Sequence, residues 1–137
     1  MLRKLAIALS IASVFVASAA FAGKTVSTTC TNKIKAVSLA ASTTTVSAGM
    51  SVAITATFQN PTRASVTVDW VILDETGTKV GSGTVTVGKG ATATGGATWT
   101  ATSGGHVFTL VVDPANTLGE AGACLNDNTK SLAILVP

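Results

Sequence analysis

The chain reads as an all-β, antiparallel sandwich of seven strands. Three observations predict it. After residue 22 no stretch shows helical periodicity, and apolar residues recur instead at every second position. Thr and Val dominate the composition, and both suit a pleated, half-buried surface. Gly, Pro, Asn and Asp interrupt the alternation at close, regular spacing, as turns between short strands do.

The strands are expected at about 34–41, 50–59, 65–74, 78–87, 91–101, 106–113 and 131–136. The second is the clearest: Met50, Val52, Ile54, Ala56 and Phe58 fall on one face. A slip of one residue would turn all five outward, so its register is strongly specified. The third places Val66, Val68, Trp70 and Ile72 together, and the fifth Ala97, Trp99 and Ala101. Seven short strands of this kind predict an immunoglobulin-like sandwich. Phe58, Trp70, Trp99 and Phe108 are the only aromatics after residue 22. All four occupy apolar strand positions, which assigns them to the core and argues against an aromatic carbohydrate platform.

The chain begins with Arg3 and Lys4, continues through an uncharged run from Leu5, and reaches Ala20-Phe21-Ala22. This is the layout of a secretory signal peptide cleaved after Ala22. Cleavage leaves 115 of the 137 residues, enough for one domain with one core, and no membrane span. It also leaves seven basic against six acidic residues, a net charge of +1, scattered along the chain. Nucleic-acid binding, which needs a clustered basic face, is not expected. The organisation is therefore a signal peptide at 1–22, an extended polar segment at 23–33 and a sandwich at 34–137.

Two cysteines, Cys30 and Cys124, remain in the exported product. An oxidising compartment predicts a disulfide between them, tying the N-terminal segment to the loop before the last strand. A loop of this length gives on the order of 4–5 kcal/mol in the chain-entropy view. Secretion to the periplasm or the medium follows.

Certain segments recur in a recognisable order. The second strand ends in Gln59-Asn60-Pro61 and the third in Asp74-Glu75-Thr76-Gly77. Then come Val85-Thr-Val-Gly-Lys-Gly90, Ala97-Thr-Trp99-Thr and Phe108-Thr-Leu-Val-Val-Asp-Pro-Ala-Asn116. Across residues 34–137 this resembles the CARDB family, the cell-adhesion-related domain of bacteria. The resemblance implies an immunoglobulin-like sandwich that acts as a non-catalytic binding or spacing module. There are departures: Asn60-Pro61-Thr62 stands where the family has Asn-x-Gly, and Cys124 where it often has an acidic residue.

No cofactor and no catalysis are expected. His106 is the only histidine, it begins a strand, and no nucleophile-elbow pattern exists. Asp113, Asn116, Glu120 and Asp127 are hard oxygen donors close in sequence, a candidate calcium set. They lack calcium-loop spacing, and the competing reading is that the Asp and Asn side chains of 113–128 cap backbone amides in a long turn.

One pattern is less ordinary. The third, sixth and seventh strands are expected to share a sheet, and all three carry apolar residues on both faces. Val71 and Leu73 point away from Trp70, Val107 and Val111 away from Phe108, and Leu135 away from Ile134. A solvent-facing antiparallel sheet ordinarily alternates. Val71, Leu73, Val107, Val111 and Leu135 are therefore the expected interface, for a protein partner or for self-association. The function expected is adhesion by protein contact at the cell surface or in the extracellular matrix. The alternatives are a fibre subunit, in which segment 23–33 adds to a neighbour's sheet edge, and a calcium- or carbohydrate-binding module.

Overall fold

A computed structural model describes Cys30 and residues 32–137. The expected signal peptide and most of the expected extended segment lie outside these residues. Among them no helix is long and apolar enough to cross a membrane.

The alternation of the sequence becomes seven strands: β1 (Lys35–Ala41), β2 (Ser51–Gln59), β3 (Val66–Leu73), β4 (Lys79–Val87), β5 (Thr92–Thr100), β6 (Gly104–Val112) and β7 (Thr129–Val136). A short 3₁₀ turn, Gly122–Leu125, precedes β7. They form two antiparallel sheets, β1-β2-β5 and β4-β3-β6-β7. The third, sixth and seventh strands do share a sheet. β4 joins them through a hairpin with β3, whose turn is tied by Asp74 Oδ1 accepting from the amides of Thr76 and Thr78.

The inward faces meet the expected register closely. Val52, Ile54, Ala56 and Phe58 of β2 face Val66, Val68, Trp70 and Ile72 of β3, all buried. Phe108, Leu110 and Val112 of β6 complete the middle of the core. The Phe58 and Trp70 rings lie 5.9 Å apart, and Trp99 meets Phe108 edge-on at 4.9 Å. Met50 departs from the expectation. It precedes β2 in a turn, 39% exposed, because its backbone is taken up by hydrogen bonds to Ser47 and Ala101.

The sandwich has two long sides where a strand of one sheet meets a strand of the other. On one side β4 meets β5, and the contact is made by glycines. A Cβ added to Gly95 would stand 2.8 Å from the Trp70 ring, and one on Gly83 3.0 Å from it. A Cβ on Gly81 would collide with that of Ala97. The indole thus fills the space that side chains on β4 and β5 would take, and the two sheets close over it. On the other side β1 meets β7. The Ala36 amide of β1 donates to the carbonyl of Asp127, just before β7, and a groove lies further along between Leu39–Ala41 and Leu132–Leu135.

Candidate interaction surface

The outer face of the four-stranded sheet is set by cross-strand pairs. Val71 lies opposite Val111, and Val107 opposite Ala133. Leu73 lies opposite Thr109, and Leu135 opposite Gly105. The five residues expected to form an interface therefore share one outward face. Their accessibility differs. Leu135 is 76% exposed, since Gly105 provides no side chain beside it, and Val107 is 45% exposed. Leu73 and Val111 are half-buried. Val71 is a correction: at 9% exposure it is a buried residue, lying in a recess with Lys79, Ser82 and Pro114, so a partner would not reach it freely. Pro114, just past β6, lines this recess, and the Asp113 amide before it extends the ladder to β3 by donating to the Asp69 carbonyl. Thr84 and Asp69 are hydrogen-bonded on one flank of the patch, and the hydroxyl pair Thr109–Ser131 interrupts it between Val107 and Val111.

The loop from Asp113 to Asn128 behaves as a structural turn. Asp113 and Asn116 have positive φ, near 51° each, a conformation that Asp and Asn tolerate better than most residues. The Asp113 carboxylate accepts from the Thr117 amide, the Thr117 hydroxyl and the Leu118 amide at 2.7–2.8 Å. Burial pushes this carboxyl up, but the three donors outweigh burial and hold it below its usual range. Asn116 accepts from the Glu120 amide and donates to its carbonyl.

Three of the four calcium candidates have other partners. The side-chain oxygens of Asp113 and Asn116 are occupied by backbone and hydroxyl donors, and Asp127 pairs with lysine instead. Among the described residues no three His, Cys, Asp or Glu side chains converge to hold a metal ion.

The lower end of the loop grips the chain that enters β1. Cys30 and Cys124 form the expected disulfide, with Cα atoms 6.0 Å apart. Lys33 is almost fully buried: its ammonium donates to the Cys124 carbonyl and pairs with Asp127 Oδ1 at 2.5 Å. Sequence reasoning left Lys33 in a polar extended stretch, because nothing local marks a lysine whose partner lies 94 positions away. Beside this pair, Asn128 donates to Glu120 Oε2, while Glu120 Oε1 and Asn128 Oδ1 have no hydrogen-bond donor among the described residues. Burial pushes the Glu120 carboxyl above its usual range, and the Asn128 amide and the Lys33 charge pull it only part of the way back.

His106 lies at the upper end, half-buried as expected of a strand residue. Its Nδ1 is 3.1 Å from Glu75 Oε1, and its Nε2 is 2.9 Å from the Thr102 carbonyl and 3.2 Å from the Thr102 hydroxyl. The line Thr102–His106–Glu75 superficially matches a nucleophile, base and acid. The ring also packs edge-on against Trp99 at 4.8 Å, which gives it a bracing role.

No family model matches the chain, and no curated protein matches it. Solved structures do. The CARDB domain of the PF1109 protein of Pyrococcus furiosus, solved with two metal ions, superposes with a TM-score of 0.67 at 17% identity, over 77% of this chain and 89% of that one. A domain from Methanosarcina acetivorans, of a protein whose description places it at the cell surface, gives 0.61 at 23% identity, over 77% and 92%. A β-glucosidase of Erythrobacter marinus gives 0.58 at 7% identity, but only 16% of that enzyme's chain takes part. The two neighbours covered almost end to end are thus domains of this size, and the chain has the fold of the CARDB domains, an immunoglobulin-like β-sandwich.

Proposed function

We propose that this chain is an exported, non-catalytic module that works by protein contact at the cell surface or in the extracellular matrix. The observation that carries the reading is the outer face of the four-stranded sheet. An antiparallel sheet with one face on the core ordinarily turns a polar face to water. Here Leu73, Val107, Val111, Ala133 and Leu135 turn apolar side chains outward instead, interrupted only by the Thr109–Ser131 hydroxyl pair. Apolar patches rimmed by polar groups are characteristic of protein contacts. The disulfide supports an oxidising compartment, and the fold neighbours include a cell-surface domain.

Val107→Lys places a charge at the middle of the patch without disturbing the core. The exported protein is expected to shift from the envelope-bound fraction to the medium, with its thermal midpoint unchanged. Equal retention of Val107→Lys and the unaltered protein on the envelope would sink the reading.

A further inference from the structure

The side of the sandwich where β1 faces β7 carries backbone groups without partners among the described residues, as well as apolar surface. In the β6–β7 ladder the Val112 amide donates to the Asn128 carbonyl, and the register then alternates regularly. Phe108–Leu132 and His106–Ile134 are therefore hydrogen-bonded pairs. The N–H and C=O groups of Ser131, Ala133 and Leu135 consequently point away from β6, along the free edge. On β1 the bond from the Ser42 amide to the Ala53 carbonyl sets the same phase, and Leu39 and Ala41 point their backbone groups outward. Leu39–Ala41, Thr43 and Thr44 on one wall and Leu132–Leu135 on the other enclose a groove of about 400 Å³.

Natural sheet edges are ordinarily blunted by charge, proline or a covering segment. From Ser131 to Val136 β7 has no charged residue and no proline, and from Ala36 to Ala41 neither does β1. An edge of this kind is suited to β-strand addition, in which main-chain bonds supply affinity and alternate side chains enter the groove.

We infer that the groove between β1 and β7 accepts residues 23–29 of a second copy of this chain as an added strand. Three observations select this occupant. The segment Gly23-Lys-Thr-Val-Ser-Thr-Thr29 has four β-branched residues in seven and small side chains suited to a shallow groove. Extended, it spans roughly 23 Å, more than the roughly 13 Å from Ser131 to Leu135. Its root, Cys30, is fixed by the disulfide at the closed end of the groove, where the Ala36–Asp127 bond and the Lys33–Asp127 pair bar the way in. A segment from its own copy would have to pass over that seam, whereas one from a neighbour enters from the open end. Donor and acceptor are different surfaces, so successive copies join head to tail, a contact that propagates into filaments unless a ring closes. The inference does not rest on the outer-face reading, since the groove uses edge backbone groups that Val107→Lys leaves in place.

The test compares the exported protein with a Thr25→Pro/Val26→Pro variant by sedimentation velocity across a wide concentration range, and by amide exchange. Neighbouring amides in a strand point opposite ways, so two prolines remove an edge donor in either register. Both changes lie outside the sandwich, and an unaltered thermal midpoint shows that it remains folded. The unaltered protein is expected to form concentration-dependent oligomers with protected Ala133 and Leu135 amides. The variant should associate at least roughly tenfold more weakly and lose that protection. A monomer at every concentration, or a variant that assembles as the original does, overturns the inference. Protection of those amides in a monomer overturns it as well, because the segment then fills its own groove.

Discussion

The two sides of the sandwich solve the same geometric problem in opposite ways. Where β4 meets β5, glycines remove the side chains that would hold the sheets apart, and the Trp70 ring fills the gap. Where β1 meets β7, apolar side chains line both walls, the Ala36–Asp127 bond closes one end, and a groove remains above. Both sides are short of charge, so composition alone does not distinguish them. The difference lies in side-chain packing: the Trp70 ring and close-packed glycines fill the β4–β5 side, while a groove remains between β1 and β7. A sealed edge serves the fold, and an open one is suited to a partner.

The largest expected effect comes from unfastening the closed end of the groove. Cys30→Ala with Cys124→Ala removes a cross-link over 94 positions and is expected to cost about 4 kcal/mol in urea unfolding. Amide exchange at Ala36, next to the junction, should rise with it. A loss below about 1 kcal/mol would show that Lys33 and Asp127 hold the junction unaided.

Breaking the sealed side is the next test. Gly95→Val drives a branched side chain into the Trp70 ring, with an expected cost of about 3 kcal/mol. Ala133→Val, at an exposed position of the open edge, should change stability by no more than about 0.5 kcal/mol. Equal losses from the two changes would erase the proposed asymmetry.

The loop beneath the open edge gives two smaller effects. Asp113→Ala leaves the Thr117 and Leu118 amides without their acceptor and is expected to cost about 2 kcal/mol at neutral pH. The folded-state pKa of Asp113 is lowered, so its contribution is present above the unfolded value. It is lost as the pH falls from about 4 through the folded value. Melts of the unaltered protein should therefore decline in that window, and those of Asp113→Ala should decline less.

Glu120 has the opposite sign. Its folded pKa is raised, so its ionisation opposes folding as the pH rises past the unfolded value, and neutral pH carries that cost. Glu120→Gln retains an acceptor for the Asn128 amide and removes a buried charge that has no donor at Oε1 among the described residues. It should stabilise the protein by about 1 kcal/mol at neutral pH, read as a raised unfolding midpoint. A destabilised Glu120→Gln would mean that the Lys33 attraction outweighs the burial.

Much of the fold was legible in particular residues. Val52, Ile54 and Phe58 announced their buried face because strand periodicity is local, and the two-faced apolar character of β3, β6 and β7 was visible for the same reason. Met50 misled, since alternation continues past the point where a turn takes the chain out of the sheet. Val71 misled as well, because the segment that shelters it, around Pro114, comes from another part of the chain. Of the candidate surface the sequence reached the residues but not their accessibility, and it contained no sign of the groove.

By itself, then, the sequence determined the number of strands, their inward faces, the cysteine pair and the apolar second face. Each follows from spacing along the chain or from a count of residues. Only the tertiary structure decided that β4 pairs with β3, that Lys33 is buried against Cys124 and Asp127, and that one long side of the sandwich is sealed while the other stays open. Those outcomes depend on which distant strands become neighbours and how closely their backbones approach. A glycine in β5 and the tryptophan in β3 that it accommodates share no local pattern.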